Sequence, residues 1–312
     1  MATIAVSTLS FNSSAHTIAC VQKLMQHGTE QGQMHKLQVF VADNGSERND
    51  QLLLQQSLND VPNVQHIQHT QNIGFAAGHN HNINLILQHG TPDYIWLLNN
   101  DCLVDERTLT ELVNSAEEKP EVGIWGATIL EPDGKTIQCA GGCFYSDWLT
   151  TFRQYGQGRP IEQLEELKEQ NFDYLSGASL FFPTQVLQSG LLNPEGVRQQ
   201  TAYLNEAFFL YFEELDLARR LKPEYKMAWS KQARVTHIGG SSTGTTGNQR
   251  SDSAEYHSSL SALKYTRIYY PSRLWIVAPL RYLLKCLQLS LKGRFRLLRP
   301  LTRAYRDFLM AR

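Results

Sequence analysis

Several features that would quickly assign a class are missing from this 312-residue chain. No stretch reaches about 18 uninterrupted apolar residues, which argues against a bilayer-spanning helix. The five cysteines, Cys20, Cys102, Cys139, Cys143 and Cys286, are scattered. Cys139 and Cys143 lie four apart without a second pair at zinc-site spacing, so no structural metal site is expected. The N-terminus enters strand-like sequence at once, with no basic leader and no apolar segment behind it. With the odd cysteine count, that sets the expectation of a reducing cytosol. Neither an internal repeat nor a low-complexity segment is visible. Acidic residues nearly vanish at one end: residues 264–312 hold 12 of the 29 Lys and Arg but one of the 30 Asp and Glu. That segment is therefore net +11 and the first 263 residues net −12, a split that points to a tail with an anionic partner of its own.

What is present is a chain able to fold. At 42% hydrophobic residues it can bury a substantial core, in one large α/β unit or two modest ones. Strand-like runs at Thr3–Leu9, Leu37–Ala42, Val64–His69 and Tyr94–Leu98 alternate with helical patterns at 15–27, 50–58, 74–87 and 105–118. Such alternation predicts a mostly parallel sheet with helices on both faces. Past residue 120 the alternation breaks. Val122–Leu130 reads as a strand, 141–170 as a surface excursion covering a site, with a short charged helix at 161–170, and Tyr174–Phe182 as a strand interrupted by Ser176-Gly177-Ala178.

The polar residues sit where such a sheet carries chemistry. Tyr94–Leu98 is an apolar run that stops abruptly at Asn99-Asn100-Asp101, and the carboxyl ends of parallel strands face a crevice. A carboxylate flanked by amide oxygens suits a hard divalent cation whose other ligands are water and a substrate diphosphate, although Asn and Asp also favour plain turns and caps. Asp43-Asn44-Gly45-Ser46 ends another strand, where a carboxylate can accept from a base or ribose, or simply make a turn. Gly74 and Gly78 open a helix whose N-terminal amides suit a diphosphate. No Gly-Lys-Ser/Thr follows them and the three-glycine spacing is absent, so neither a Walker loop nor a dinucleotide fingerprint is present.

A second concentration follows at Phe208–Arg220. Five aromatic or apolar residues precede Glu213, Glu214 and Asp216. On a helix, Glu213 and Asp216 share a face and Glu214 points elsewhere, beside the apolar wall. A carboxylate among aromatics loses hydration, which raises its pKa and makes it a stronger base. The alternative is a helix N-terminus whose acids complement the dipole and pair with Arg219 or Arg220. His237, at the end of a further strand in Val235–Ser242, is a candidate to complete a metal or diphosphate shell.

In order, DNGS, NIGFAAGHN, LLNND, SGASLFF, YFEELDLARR and THIGGSS resemble the inverting glycosyltransferases of family 2, and among them the bacterial rhamnosyltransferases of O-antigen assembly. The resemblance covers about residues 3–245. It implies a GT-A fold, with a Rossmann-like, mostly parallel sheet, a nucleotide-diphosphate-sugar donor and Mg2+ or Mn2+. It also implies a catalytic part at 1–263, divided into a nucleotide-sugar half (1–120) and an acceptor half (121–263). On this resemblance Glu214 is the base, with Glu213 and Asp216 beside it. Ser10, Asp43, Asn44, Asn72, Gly74, Phe75, Asn80, Asn99, Asn100 and Asp101 meet the donor. Ser176, Gly177 and Ala178 meet the acceptor, and Asp101 and His237 hold the metal. Two departures stand out: Glu213-Glu214 replaces the usual Glu-Asp, and Asn99 replaces the first Asp of the metal motif. The favoured donor is dTDP-rhamnose, with a galactofuranosyl or N-acetylglucosaminyl transferase of the same fold as the alternative, and the acceptor a polyprenyl-diphosphate-linked saccharide.

The tail reads separately. Arg281, Lys285, Gln288 and Lys292 form one helical stripe. Leu280, Leu283, Leu284, Leu287 and Leu291 form the other, with Trp275 and Tyr282 as interface anchors. That pattern predicts a cationic amphipathic helix in 264–312, with residues 271–312 lying on an anionic membrane surface, on the inner face of a cytoplasmic membrane. Its alternative is a helix packed on the catalytic part or a dimer partner, and a homodimer stays open. A pyrophosphorylase would want a Gly-rich, Lys/Arg-bearing loop near the N-terminus, which Leu9–Ser14 lacks. A nucleic-acid binder would want more stacking platforms and a less continuous aliphatic face, so no nucleic acid is expected.

Overall fold

A computed structural model describes residues 1–29, 35–193, 197–199, 203–239 and 250–311. Gly240–Ser242 of the last motif lie outside them. The first half alternates β1 (Thr3–Ser10), α1 (Ser14–Thr29), β2 (Lys36–Asp43), α2 (Arg48–Leu58), β3 (Val64–Gln68), α3 (Phe75–His89), β4 (Tyr94–Leu98), β5 (Cys102–Val104) and α4 (Thr108–Glu118). There follow β6 (Val122–Leu130), β7 (Ile137–Ala140), β8 (Gly142–Ser146), β9 (Thr151–Gln154), β10 (Tyr174–Leu175), β11 (Ser179–Pro183), α5 (Thr184–Gln188), β12 (Leu191–Leu192) and β13 (Arg198–Gln199). The chain ends with α6 (Glu213–Leu221), β14 (Lys226–His237), α7 (Asp252–Tyr269), α8 (Leu274–Leu291) and α9 (Leu298–Met310).

The main sheet runs β3-β2-β1-β4-β11-β6-β14-β5, with β7 added beside β6. Strands β1 to β4 are mutually parallel, so Ser10, Asp43, Gln68 and Leu98 all end at one edge. Strand β11 runs antiparallel between β4 and β6, which restores the first direction in β6 and β14. His237 therefore reaches the same edge as Asn99. Side chains alternate across the sheet as strand geometry demands. Trp96 and Leu98 of β4 pack on one face with Leu24, Leu54 and Leu112 of the helices. Ile95 and Leu97 pack on the other with Ile83 and Ile86. Every residue of β6 is buried, as in a central strand covered on both faces.

Four sequence expectations change. The helix expected from Asp105 begins at Thr108, and the residues before it form β5, antiparallel to β14. Part of the expected excursion at 141–170 is a small antiparallel sheet, β10-β8-β9, and the charged helix is a 3-10 turn at Ile161–Glu166. The expected boundary at residue 263 falls inside α7, whose Tyr265 packs with Phe208 and Phe212 in one aromatic cluster. In the tail, Arg281 and Lys285 turn inward against the rest of the protein, and Tyr282 bonds inward to Thr302 of α9 at 3.0 Å. The leucine stripe faces out, with Leu283 66% and Leu291 79% exposed. By length and composition Pro271–Leu291 is also apolar enough to cross a membrane, a property that Arg281 and Lys285 hide from a search for uninterrupted runs.

Candidate active site

The carboxyl edge of the sheet opens into a cavity of about 550 Å3, closed on its far side by α6, α7, α8 and the β8–β9 turn. Asn44, Asn72 and Gly74 form one corner. Asn44 Nδ2 donates to Asn72 Oδ1 and to the Gly74 carbonyl, both at 3.1 Å, and Asn72 Oδ1 accepts from the Gly74 N–H at 2.9 Å. Gly74 takes a φ of +90°, and a Cβ there would come within 2.8 Å of Phe209. Only glycine lets Phe209 lie this close, and the Phe209 carbonyl then accepts from the Phe75 N–H at 2.9 Å. Phe75 faces the cavity beside His79, whose burial pushes its imidazole down to about 3 and keeps it neutral.

The next corner is Asn99-Asn100-Asp101. Asn100 is fixed by donating to Ser13 and Thr17 hydroxyls at 2.7 and 2.8 Å. Pairing of β5 with β14 sets His237 opposite Cys102, which brings His237 Nε2 to 3.1 Å from Asp101 Oδ1. Gln138 decides the tautomer. Its Nε2 donates to Glu131, so the Oε1 that meets His237 Nδ1 at 2.8 Å is an acceptor and Nδ1 carries a proton. In a neutral ring the Nε2 lone pair then faces both the Asn99 amide, at 3.4 Å, and the Asp101 carboxylate, and a cation beside Asp101 would relieve the second contact. Asp101, Cys102 and His237 have the spacing of a metal group. Cys102 fits a hard cation poorly. Burial first, then the Asp101 charge, push its thiol far up, and it donates to the Ala178 carbonyl. Asp101 and His237 are the donors that fit.

The acidic pair lines the same cavity. Tyr211 and Phe212 both take positive φ, 66° and 75°, immediately before α6. Two left-handed non-glycine residues cost about 1–2 kcal/mol each, strain that aims Glu213 and Glu214 into the cleft. Glu213 is 2% exposed and its Oε2 has no partner among the described residues. Burial first, then the Glu214 charge, raise its pKa well above the carboxylate range. Glu214 is half-buried, and burial raises it too, against the pull of its own backbone N–H. Its carboxylate rests on Gly177, where a Cβ would fall inside it. Gly177 belongs to the strand break, whose Ala178 carbonyl accepts from Asn99 N–H at 3.1 Å and so ties the acidic wall to the metal corner.

Four expected site residues are placed elsewhere. Asp216 is fully buried, bonded to Arg220 at 2.6 Å, Tyr269 at 2.7 Å and Asn205 at 3.1 Å, so its lone pairs serve the fold. Asn80 ties Leu204 and Glu206 to α3 through bonds of 2.8–2.9 Å and does not line the cavity. Ser10 lies beneath the floor, accepting from Thr17 at 2.9 Å. Asp43 is also sealed, its Oδ1 accepting from the Ser46 N–H, while Asn44 takes the cavity position. Sequence reasoning missed Gln138, His79, Tyr145, Thr150, Arg281 and Lys285, all of which line the cleft. Of these, Arg281 and Lys285 carried a signal, their shared stripe on α8.

The family model described as Glycosyl transferase family 2 matches residues 9–158. No curated protein sequence matches the chain. Many solved structures resemble it in shape, among them the following three. GalNAc-T7 with UDP, GalNAc and Mn2+ superposes with a TM-score of 0.56 at 12% identity, covering 86% of this chain and 48% of its own, so this chain spans about half its length. TarS 1-349 from S. aureus gives 0.52 at 11%, covering 99% of this chain and 80% of its own. The mannosyltransferase PcManGT from Pyrobaculum calidifontis, in complex with GDP-Man and Mn2+, gives 0.54 at 12%, covering 98% and 86%. At such identities the likeness concerns fold, and the fold is the mixed α/β arrangement of GT-A proteins. Over residues 9–158, just under half of its length, the chain thus resembles glycosyl transferase family 2, and its fold is of the GT-A type.

Proposed function

We propose that this chain moves a sugar from a nucleotide-diphosphate donor to an acceptor hydroxyl with inversion at the anomeric carbon. The observation that carries the reading is that Glu214 and the Asp101–His237 corner line one cavity. Asn44, Asn72 and Gly74 shape the corner of the cavity that takes the nucleotide and its diphosphate. Asp101 and His237 would hold Mg2+ or Mn2+, which offsets the charge that builds on the leaving diphosphate. Glu214 takes the proton of the acceptor hydroxyl. The freed oxygen bonds to the anomeric carbon as the carbon–oxygen bond to the diphosphate breaks on the opposite face. Glu213 supports the assignment. Two adjacent carboxylates in a dry wall do not both ionise readily, and the deeper one keeps the proton.

The donor titled with PcManGT is GDP-Man and the ligands titled with GalNAc-T7 are UDP and GalNAc. For this chain the sequence resemblance favours dTDP-rhamnose. Calorimetry with a panel of nucleotide sugars in Mg2+ or Mn2+, with and without EDTA, tests the reading. One donor should bind in a metal-dependent way, and Asp101→Ala should abolish that binding. Donor affinity untouched by both EDTA and Asp101→Ala would overturn it.

The outward face of α8 supports a peripheral place on the inner face of a cytoplasmic membrane. Trp275 is 86% exposed at the start of the same helix, and with the leucine stripe it leaves apolar surface beside a +11 tail. Because Arg281 and Lys285 fasten the opposite side of the helix to the protein, it lies along the surface. Flotation with vesicles of phosphatidylglycerol and phosphatidylethanolamine should recover the wild type, and Leu283→Glu with Leu287→Glu should lower recovery severalfold. Equal recovery would remove the membrane from the proposal.

A further inference from the structure

The turn that joins β8 to β9 presents apolar side chains that the fold does not use. Trp148 is 47% and Leu149 46% exposed at its tip. Phe152, paired with Tyr145 across the two strands, lines the cavity and is still 60% exposed, which places it at the cavity's mouth. Two arginines fasten this turn to α8. Arg273, just before the helix, pairs with Asp147 and lays its guanidinium over the Trp148 ring at 4.7 Å. Arg281, within the helix and 6% exposed, donates to the Thr150 carbonyl at 3.0 Å and hydroxyl at 2.6 Å. Thr150 has a φ of +49°, a conformation that a β-branched residue keeps only where its neighbours hold it. The tip is therefore a fixed element, and it is fixed to α8.

Exposed aromatic rings gather in this part of the molecule. Among the described residues four Phe, Tyr or Trp side chains are exposed: Trp148, Phe152, Trp275 at the start of α8, and Phe295 just after it. Charge indicates what would cover them. Asp147 is the sole acid between residues 142 and 159, and Arg273 neutralises it, while Arg153 and Arg159 add positive charge beside the tip. Tryptophan with leucine and phenylalanine, flanked by arginine, suits the headgroup layer of an anionic bilayer. We propose that the β8–β9 turn is a second membrane contact, which enters that layer together with the outer face of α8. A single helix lying on a surface can roll about its axis, and a second contact bonded to its side prevents this. Thr150 and Phe152 line the cavity with Arg281 and Lys285 of α8, so the two contacts together hold the mouth of the cavity at the lipid surface. This inference rests on the membrane reading of α8 and adds the element that orients the protein there.

The full chain is tested on vesicles of phosphatidylglycerol and acyl-brominated phosphatidylcholine, with vesicles in excess. Trp275→Leu leaves Trp148 as the one exposed tryptophan, because Trp96, Trp125 and Trp229 are buried. The fluorescence of this variant should fall with brominated vesicles and hold with unbrominated ones. Trp148→Ser with Leu149→Ser alters exposed positions, so it should fold, with melting curves as the check. It should lower the vesicle partition coefficient about tenfold through lost apolar contact. Unquenched Trp148 fluorescence, or partition equal to wild type, would overturn the turn as a contact. If Leu283→Glu with Leu287→Glu still lowers binding beside that result, the α8 reading stands and the turn alone is removed. Failure of the wild type to bind would remove both. A wild-type dimer in sedimentation equilibrium that Trp148→Ser with Leu149→Ser dissociates would assign the surface to a second copy and overturn the lipid partner.

Discussion

Along the sheet edge, the polar groups of the cleft are fixed mainly by one another. Asn44, Asn72 and Gly74 close a small hydrogen-bonded ring, and Asn100 is held by two hydroxyls. Across the cavity the wall from Tyr145 to Glu214 and Arg281 is built differently. Its backbone is strained at Tyr211 and Phe212, and Tyr145, Glu213 and Arg281 each bury a polar atom without a partner among the described residues. The first wall is prepared for a ligand whose shape is constant, such as a nucleotide diphosphate. The second stores unfavourable free energy, about 1–3 kcal/mol for each unsatisfied buried group, that a substrate or a proton transfer can release. The difference teaches where chemistry should be separable from binding: changes on the strained wall should alter turnover and leave donor affinity alone.

The strongest test of that separation is Glu214→Gln. Removing the proposed base should lower kcat by at least ~10^2-fold, with the donor Kd unchanged by calorimetry. Normal turnover would break the comparison at its centre, because the strained wall would then hold no base. A smaller effect is expected from Gly177→Ala. The added methyl would occupy the place of the Glu214 carboxylate, which is the free end of a flexible side chain and can swing aside. About a tenfold fall in kcat is expected from a misplaced base, with donor Kd and Tm near wild type. A fall in donor affinity instead would show that the two walls act as one.

How far the sequence foretold these walls follows the same division. The sheet edge was legible because strand ends announce themselves: Leu98 to Asn99 and Ala42 to Asp43 are sharp changes from apolar to polar. Glu213 and Glu214 were legible for the same reason, after their aromatic run. Strand β5 was not, since three residues carry no period, and without it nothing brings His237 to Asp101. Asp216 was misassigned because helical spacing shows which acids share a face and not whether a buried Arg220 awaits them. In α8 the spacing separates Arg281 and Lys285 from the exposed leucines. Which face turns inward depends on partners such as Thr150 and Glu255, more than a hundred residues and about thirty residues away in the chain, and no local pattern encodes them.

The smallest expected effect concerns stability and bears on Glu213. Its folded pKa lies above the unfolded value near 4.5, through burial first and the Glu214 charge second. Between the two values the folded protein holds a proton that the unfolded chain releases, so stability falls as pH rises through this window. Glu213→Gln removes the titration and keeps the volume. The variant should match wild type near pH 4.5 and gain on it towards pH 8, by about 1 kcal/mol or about 2–4 °C in Tm. Melting curves across that pH range read the difference directly. If the variant were instead less stable at pH 8 than at pH 4.5 relative to wild type, Glu213 would be a satisfied structural carboxylate. The strained wall would then owe its tension to Tyr211, Phe212 and the unpaired donors alone.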